Sequence, residues 1–297
     1  MKLRTNLLLG YGGAWIALIT VTASVGCVNV NAVLEQLSEA RRLAAELHVQ
    51  FTKTADAANR AVMADTDDTS VAFAGEAEQA TQAVQRDTDA LAPILKGLGY
   101  ANEGRLLDQF VSRFAEYRAL DRRILDLAVE NTNLKAQRLS FGPAQEAANA
   151  FRDALDAVAQ SASATDRWHV EALVARAETT VREIQVLQAP HIADADEAVM
   201  TRMETRMATS EAAARKALDA LGPLVPPASR PRLAAATAAL DRFMSLNAQI
   251  IALSRRNTNV RSLALSLDQK RTLTTACEES LRALRDALAK HGYTGTR

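Results

Sequence analysis

The sequence predicts an all-α chain: an N-terminal transmembrane helix followed by two tandem, internally duplicated, antiparallel four-helix bundles. Three observations predict it. Gly (12), Pro (7) and aromatic residues (4%) are few in 297 residues, while Ala and Leu dominate. That composition favours helices and leaves little material for strands. From Glu35 onward apolar residues recur at three- and four-residue spacings, the stripe of amphipathic helices. The second half of the chain then repeats motifs of the first.

Residues 1–36 read as a short basic head (Lys2, Arg4) and an apolar run from Leu7 to Val30 that carries no charge. A helix rising about 1.5 Å per residue needs about 20 residues to cross a hydrocarbon core of about 30 Å, and this run is longer. Three fates compete. A cleaved secretory signal would use Ala23-Ser24-Val25-Gly26, a poor site. A lipoprotein signal would lipidate Cys27, but Ser24 stands where a bulky aliphatic residue is usual. An uncleaved signal anchor fits the length best. Lys2 and Arg4 then hold the N-terminus in the cytoplasm. The expected location is the cell inner membrane, crossed once, with the helical domain on the periplasmic or extracellular side.

The first bundle is expected over residues 37–163. Its first helix continues from the anchor through Leu37, Leu43, Leu47 and Phe51 to Met63. Residues 65–70, Asp-Thr-Asp-Asp-Thr-Ser, form a polar break rich in N-cap residues. A second helix spans about 70–95, and Lys96-Gly97-Leu98-Gly99-Tyr100 makes a turn. A third spans about 103–139. Ser140-Phe141-Gly142-Pro143 is expected to stop it, with Pro143 in the first turn of a fourth helix carrying Phe151, Leu155 and Val158. The second bundle is expected over residues 164–297, with helices near 166–187, 194–221, 231–263 and 268–290. Between the bundles, residues 161–165 contain no Gly or Pro and form either a turn or a continuous helix.

The repeat rests on four matches. Ala90-Leu-Ala-Pro-Ile-Leu95 pairs with Ala220-Leu-Gly-Pro-Leu-Val225. Residues 124–133, ending Asn131-Thr132-Asn133, pair with residues 250–259, ending Asn257-Thr258-Asn259. Leu139-Ser140 pairs with Leu265-Ser266, and Phe151-Arg-Asp-Ala-Leu155 with Leu284-Arg-Asp-Ala-Leu288. These matches imply duplication of a four-helix unit whose short loops join antiparallel neighbours.

The opening string Met-Lys-Leu-Arg-Thr-Asn-Leu-Leu-Leu-Gly-Tyr-Gly resembles the start of many bacterial methyl-accepting chemotaxis receptors and related sensor kinases. The helical pattern behind it resembles their four-helix-bundle ligand-binding region. The resemblance covers the N-terminal part of such a receptor only; no second membrane helix, signalling linker or methylated hairpin is found. It implies an extracytoplasmic sensor that binds a small molecule, such as an amino or organic acid, between helices. Binding would shift the helices slightly. It also implies a homodimer or pairing with another receptor chain. The alternative is a membrane-tethered helical scaffold without a ligand.

The repeated Asn-Thr-Asn is the sharpest candidate for chemistry. Asn131 falls on the apolar stripe between Leu127 and Leu134, and Asn257 on the equivalent stripe of the second unit. A buried amide is costly unless hydrogen-bonded. Asn131 and Asn257 therefore either fix helix register, as polar residues do in coiled coils, or line small polar pockets that hold a ligand. Arg41-Arg42, Arg122-Arg123 and Arg255-Arg256 could hold carboxylates, but as solvated faces they need no ligand. His48, His169, His191 and His291 form no metal-ligand spacing, and Met200, Met203 and Met207 read as core packing. Cys27 and Cys277 imply no disulfide framework. Lys plus Arg and Asp plus Glu both number 35, so no basic field for nucleic acid exists. No nucleophile triad, phosphate loop or metal motif occurs, so the expectation is a non-enzyme without cofactor or metal.

Overall fold

The computed structural model describes residues 12–291, with side chains from Asn31 onward. Among the described residues all regular structure is helical. The helices are α1 (Gly12–Met63), α2 (Asp67–Gly97), α3 (Ala101–Glu130), α4 (Thr132–Leu139), α5 (Gln145–Gln160), α6 (Arg167–Ala193), α7 (Glu197–Leu221), α8 (Arg230–Arg256), α9 (Thr258–Leu265) and α10 (Arg271–Lys290).

The single-pass membrane placement is corrected. Among the described residues no helix is long and apolar enough to cross a membrane. Past residue 30, α1 carries Glu35, Glu39, Arg41, Arg42, Glu46, Lys53, Asp56 and Arg60, too many charges for a spanning window. The expected anchor at residues 7–30 lies outside the described residues, apart from its helical backbone from Gly12.

The duplication is visible in the element bounds. α1 and α6 end 130 residues apart, at Met63 and Ala193. α3 and α8 end 126 residues apart, and α4 and α9 are each eight residues long. In each copy a five-residue π-helical turn follows, Ser140–Ala144 and Ser266–Lys270. Here Pro143 does not stop the helix. A proline lacks an N–H and crowds the preceding turn; widening to a π-turn accommodates both, and α5 continues. The second copy has the same π-turn without a proline, so Pro143 is not its cause. Pro190 likewise lies inside α6.

The chain divides into two compact units, each drawing on both copies. One comprises the described parts of Met1–Ala57, Gly75–Leu120 and Lys270–Arg297; the other comprises Ala58–Ala74 and Asp121–Gln269. They are not the tandem segments 37–163 and 164–297. The fourth helix of each copy packs with the other copy's helices. In the first unit Leu47, Phe51, Leu91, Leu95, Phe110 and Tyr117 share one core with Cys277, Leu281, Leu284 and Leu288 of α10. In the second, Phe151, Leu155 and Val158 of α5 share a core with Val181 and Ile184 of α6, Met200, Met203 and Met207 of α7, and Leu240 and Phe243 of α8. Burial pushes the Cys277 thiol up to about 12, so it serves as a small apolar group.

Two turns are legible in chemistry. After α2, Gly99 takes φ +72°; its N–H bonds Lys96 O at 3.1 Å and that of Tyr100 bonds Leu95 O at 3.0 Å. This is the paired closure that a glycine permits. Between α5 and α6 the chain turns, with Ser163 Oγ donating to Asp166 Oδ2 at 2.8 Å. The 161–165 joint is therefore a turn, not a continuous helix.

Candidate functional site

The Asn-Thr-Asn segments meet within the second unit. α3 ends at Glu130, and Asn131 then takes φ 52° and ψ 39°; α8 ends at Arg256, and Asn257 takes φ 54° and ψ 38°. Among non-glycine residues Asn tolerates this left-handed region best. Each Asn thus breaks a helix that its sequence stripe would otherwise continue.

A broken helix must restart, and the first N–H groups of the new helix have no partner within it. Here the other copy supplies the acceptors. Thr132 N donates to Thr258 Oγ1 at 3.1 Å, and Thr258 N to Thr132 Oγ1 at 3.2 Å. Asn133 N donates to Asn259 Oδ1 at 3.2 Å, and Asn259 N to Asn133 Oδ1 at 3.1 Å. Each copy caps the other's helix. Asn133 Nδ2 also donates to Asn257 Oδ1 at 2.8 Å, and Asn259 Nδ2 to Asn131 Oδ1 at 2.8 Å.

The symmetry fails at two bonds. Asn133 Nδ2 also donates to Ile192 O at 2.6 Å, a bond that Asn259 Nδ2 does not repeat. Asn257 Nδ2 donates to Asp194 O, just past α6, at 2.7 Å. Its counterpart, Asn131 Nδ2, is buried and has no hydrogen-bond partner; Asn131 as a whole is 1% exposed. The turn between α1 and α2 is held by other bonds. Arg138 Nη1 donates to Asp67 Oδ2 at 3.0 Å, and Ser70 Oγ lies 3.1 Å from both Ala61 O and Ala128 O.

A buried polar seam runs through the same unit. Ser140 Oγ donates to Gln188 Oε1 at 2.7 Å, and Gln188 Nε2 to Asn247 Oδ1 at 2.9 Å. His191 is wholly buried, with Nδ1 2.8 Å from Ser254 Oγ and Nε2 2.8 Å from Glu204 Oε1. Arg255 grips Glu204 with two bonds, Nε to Oε1 at 2.7 Å and Nη2 to Oε2 at 3.0 Å. Ser, His and Glu here form no exposed nucleophile: Ser254 is wholly buried and its hydroxyl donates to His191 O at 2.7 Å.

Arg255's hydrogen bonds hold the Glu204 carboxyl below its ordinary value; burial opposes them and the His191 contact reinforces them. The stability this contributes is present above the ordinary carboxylate pKa of about 4.3 and is lost as pH falls through the lower folded value. Thermal unfolding of the wild type is therefore expected to drop below about pH 4.5. Glu204→Gln should start lower at neutral pH and show a shallower drop; parallel curves would contradict the assignment.

The structure brings the sequence candidates Asn131 and Asn257 into one cluster. Thr132, Asn133, Thr258 and Asn259, which complete it, were legible only as members of the repeated triple. The Ser254–His191–Glu204–Arg255 set has no local signature, because its members come from three helices. Arg41 caps α10, with Nε 3.1 Å from Leu288 O, and Arg42 pairs with Glu39 on the surface. Arg256 pairs with Glu130. Among the described residues no cluster of His, Cys, Asp or Glu could hold a metal ion. No family model matches the chain, and no curated protein matches it.

Proposed function

We propose that the chain is a helical sensor domain that binds a small molecule between helices and passes the event on as a small displacement at the Asn-Thr-Asn crossing. The receiver is a second copy of the chain or another receptor chain. The observation that carries the reading is the crossing itself. Four long helical segments break or restart there, each copy is capped by the other, and one buried amide lacks the bond its counterpart makes. A helix pair held by exchangeable polar bonds has two arrangements of similar energy more readily than an apolar seam, and a ligand biases such an equilibrium by its differential affinity. An amino or organic acid is the expected ligand class.

A second reading, a helical scaffold, draws on Phe141 and Leu267. They occupy equivalent places in the two π-turns and are 67% and 63% exposed. Apolar side chains held out in solvent suit a protein partner.

A thermal-shift screen of amino and organic acids separates the two. The sensor reading expects one class to raise Tm in a saturable way and to alter hydrogen exchange at residues 131–135 and 257–261. No response from either class would leave the scaffold.

A further inference from the structure

The two copies differ in length at the turn that follows the second helix, and the first copy has a cleft there. Up to this turn the copies align at an offset of 130 residues, Leu95 with Val225; after it they align at 126, Leu107 with Leu233. The first copy is thus four residues longer, and the surplus lies at residues 96–100. Lys96, Gly99 and Tyr100 from this stretch line a cleft of about 460 Å³ between the end of α2 and the start of α3. That volume is in the range of small-molecule pockets. In the second copy the turn is closed by Pro226, Pro227 and a short 3-10 helix, Pro227–Ser229, and Arg230 stands where the first copy has Gly104.

The lining defines a chemistry. The buried side chains of Leu95 and Leu107 form an apolar floor. Gly104 leaves space above it; a Cβ built there meets no atom within 4 Å. Tyr100 supplies a fixed aromatic wall. His291 stacks on its ring at 3.8 Å and 11°, and is itself held by Glu103 at 2.9 Å. Glu103 is 4% exposed, hydrogen-bonded to His291, and does not line the cleft. At the rim the Lys96 ammonium has no hydrogen-bond or ion-pair partner among the described residues, and Arg105 donates to the neutral Asn102 Oδ1 at 2.8 Å. Asp108 is the one lining carboxylate. The cations outnumber it two to one.

We infer that this cleft binds an apolar monocarboxylate, its ring or chain on Leu95, Leu107 and Tyr100 and its carboxylate at Lys96 and Arg105. This rests on the sensor reading and gives it a place and a ligand class. Bidentate pairing suits Arg105, and a flat ring suits an aromatic wall.

The test uses the full chain and three probes of one shape: benzoate, benzyl alcohol and benzylamine. Calorimetric titration is expected to rank benzoate first. Gly104→Leu, which fills the cleft and favours helix, should weaken benzoate about tenfold or more without lowering Tm. Lys96→Glu combined with Arg105→Glu should reverse the order in favour of benzylamine. Equal binding of benzoate and benzylamine to the wild type, or benzoate binding unchanged by Gly104→Leu, would overturn the assignment. If another amino or organic acid binds and Gly104→Leu leaves it untouched, the cleft is wrong and the sensor reading stands. If no acid binds at all, both fall.

Discussion

Asn257→Ala is expected to destabilise the protein by about 3 kcal/mol, and Asn131→Ala by about half as much, although the two residues are copies of each other. Asn257 accepts from Asn133 Nδ2 and donates to Asp194 O. Its removal takes the partner from the Asp194 carbonyl and one of two acceptors from Asn133 Nδ2, which keeps Ile192 O at 2.6 Å; an unmade buried bond costs about 1–3 kcal/mol. Asn131 accepts from Asn259 Nδ2, but its own Nδ2 has no partner. Deleting that amide removes a buried unsatisfied group together with one bond, and the two effects offset. Both alanines also pay for the left-handed backbone, roughly 1 kcal/mol each. Asn131→Gly and Asn257→Gly relieve that strain and keep the difference between the two sites. Urea titration of the four variants checks this. Equal losses at the two positions would mean that Asn131 Nδ2 has found a partner.

Phe51→Ala is expected to cost about 3–5 kcal/mol, the largest single effect outside the crossing. The Phe51 ring is wholly buried in the first unit and meets three others edge-on: Phe110 at 6.0 Å, Phe114 at 6.1 Å and Tyr117 at 5.2 Å. Edge-to-face pairs contribute beyond area burial, by about 0.5–1.5 kcal/mol each. Phe51→Leu keeps most of the volume and should cost less than half as much. Thermal unfolding followed by circular dichroism measures both. A loss under about 1 kcal/mol for Phe51→Ala would contradict the core assignment.

Much of the fold follows from periodicity. The stripe through Leu37, Leu43, Leu47 and Phe51 and the stripe through Phe110, Phe114 and Tyr117 face one core because residues three and four apart share a helix face. The repeat was equally legible, since Asn-Thr-Asn recurs after 126 residues and the structure repeats with it. Stripes record which face of a helix is buried and carry nothing about its neighbour. That is why α5 and α10 looked like closing helices of their own copies and instead pack with the other copy. Pro143 misled for a different reason. A proline disfavours a regular α-turn, but the helix continues past it, through a π-turn at Pro143 and within α6 at Pro190.

The candidate site was half legible. Asn131 and Asn257 stood out because an amide on an apolar stripe demands a partner. Their left-handed backbone and the trans capping did not stand out, because a continuous stripe reads as a continuous helix. The membrane placement was read from an uncharged N-terminal stretch by composition alone; that stretch lies outside the described residues, and among the described ones the charges from Glu35 onward leave α1 without a spanning window.

The account turns on reciprocal capping at the crossing, and amide hydrogen exchange tests it most directly. In an isolated helix the N–H groups of the first two residues exchange freely. Here those of Thr132, Asn133, Thr258 and Asn259 each donate to the opposite copy. All four are expected to exchange as slowly as the amides in the middle of α8, and Thr258→Val should release Thr132 selectively. Fast exchange at all four in the wild type would contradict the crossing and the coupling built on it.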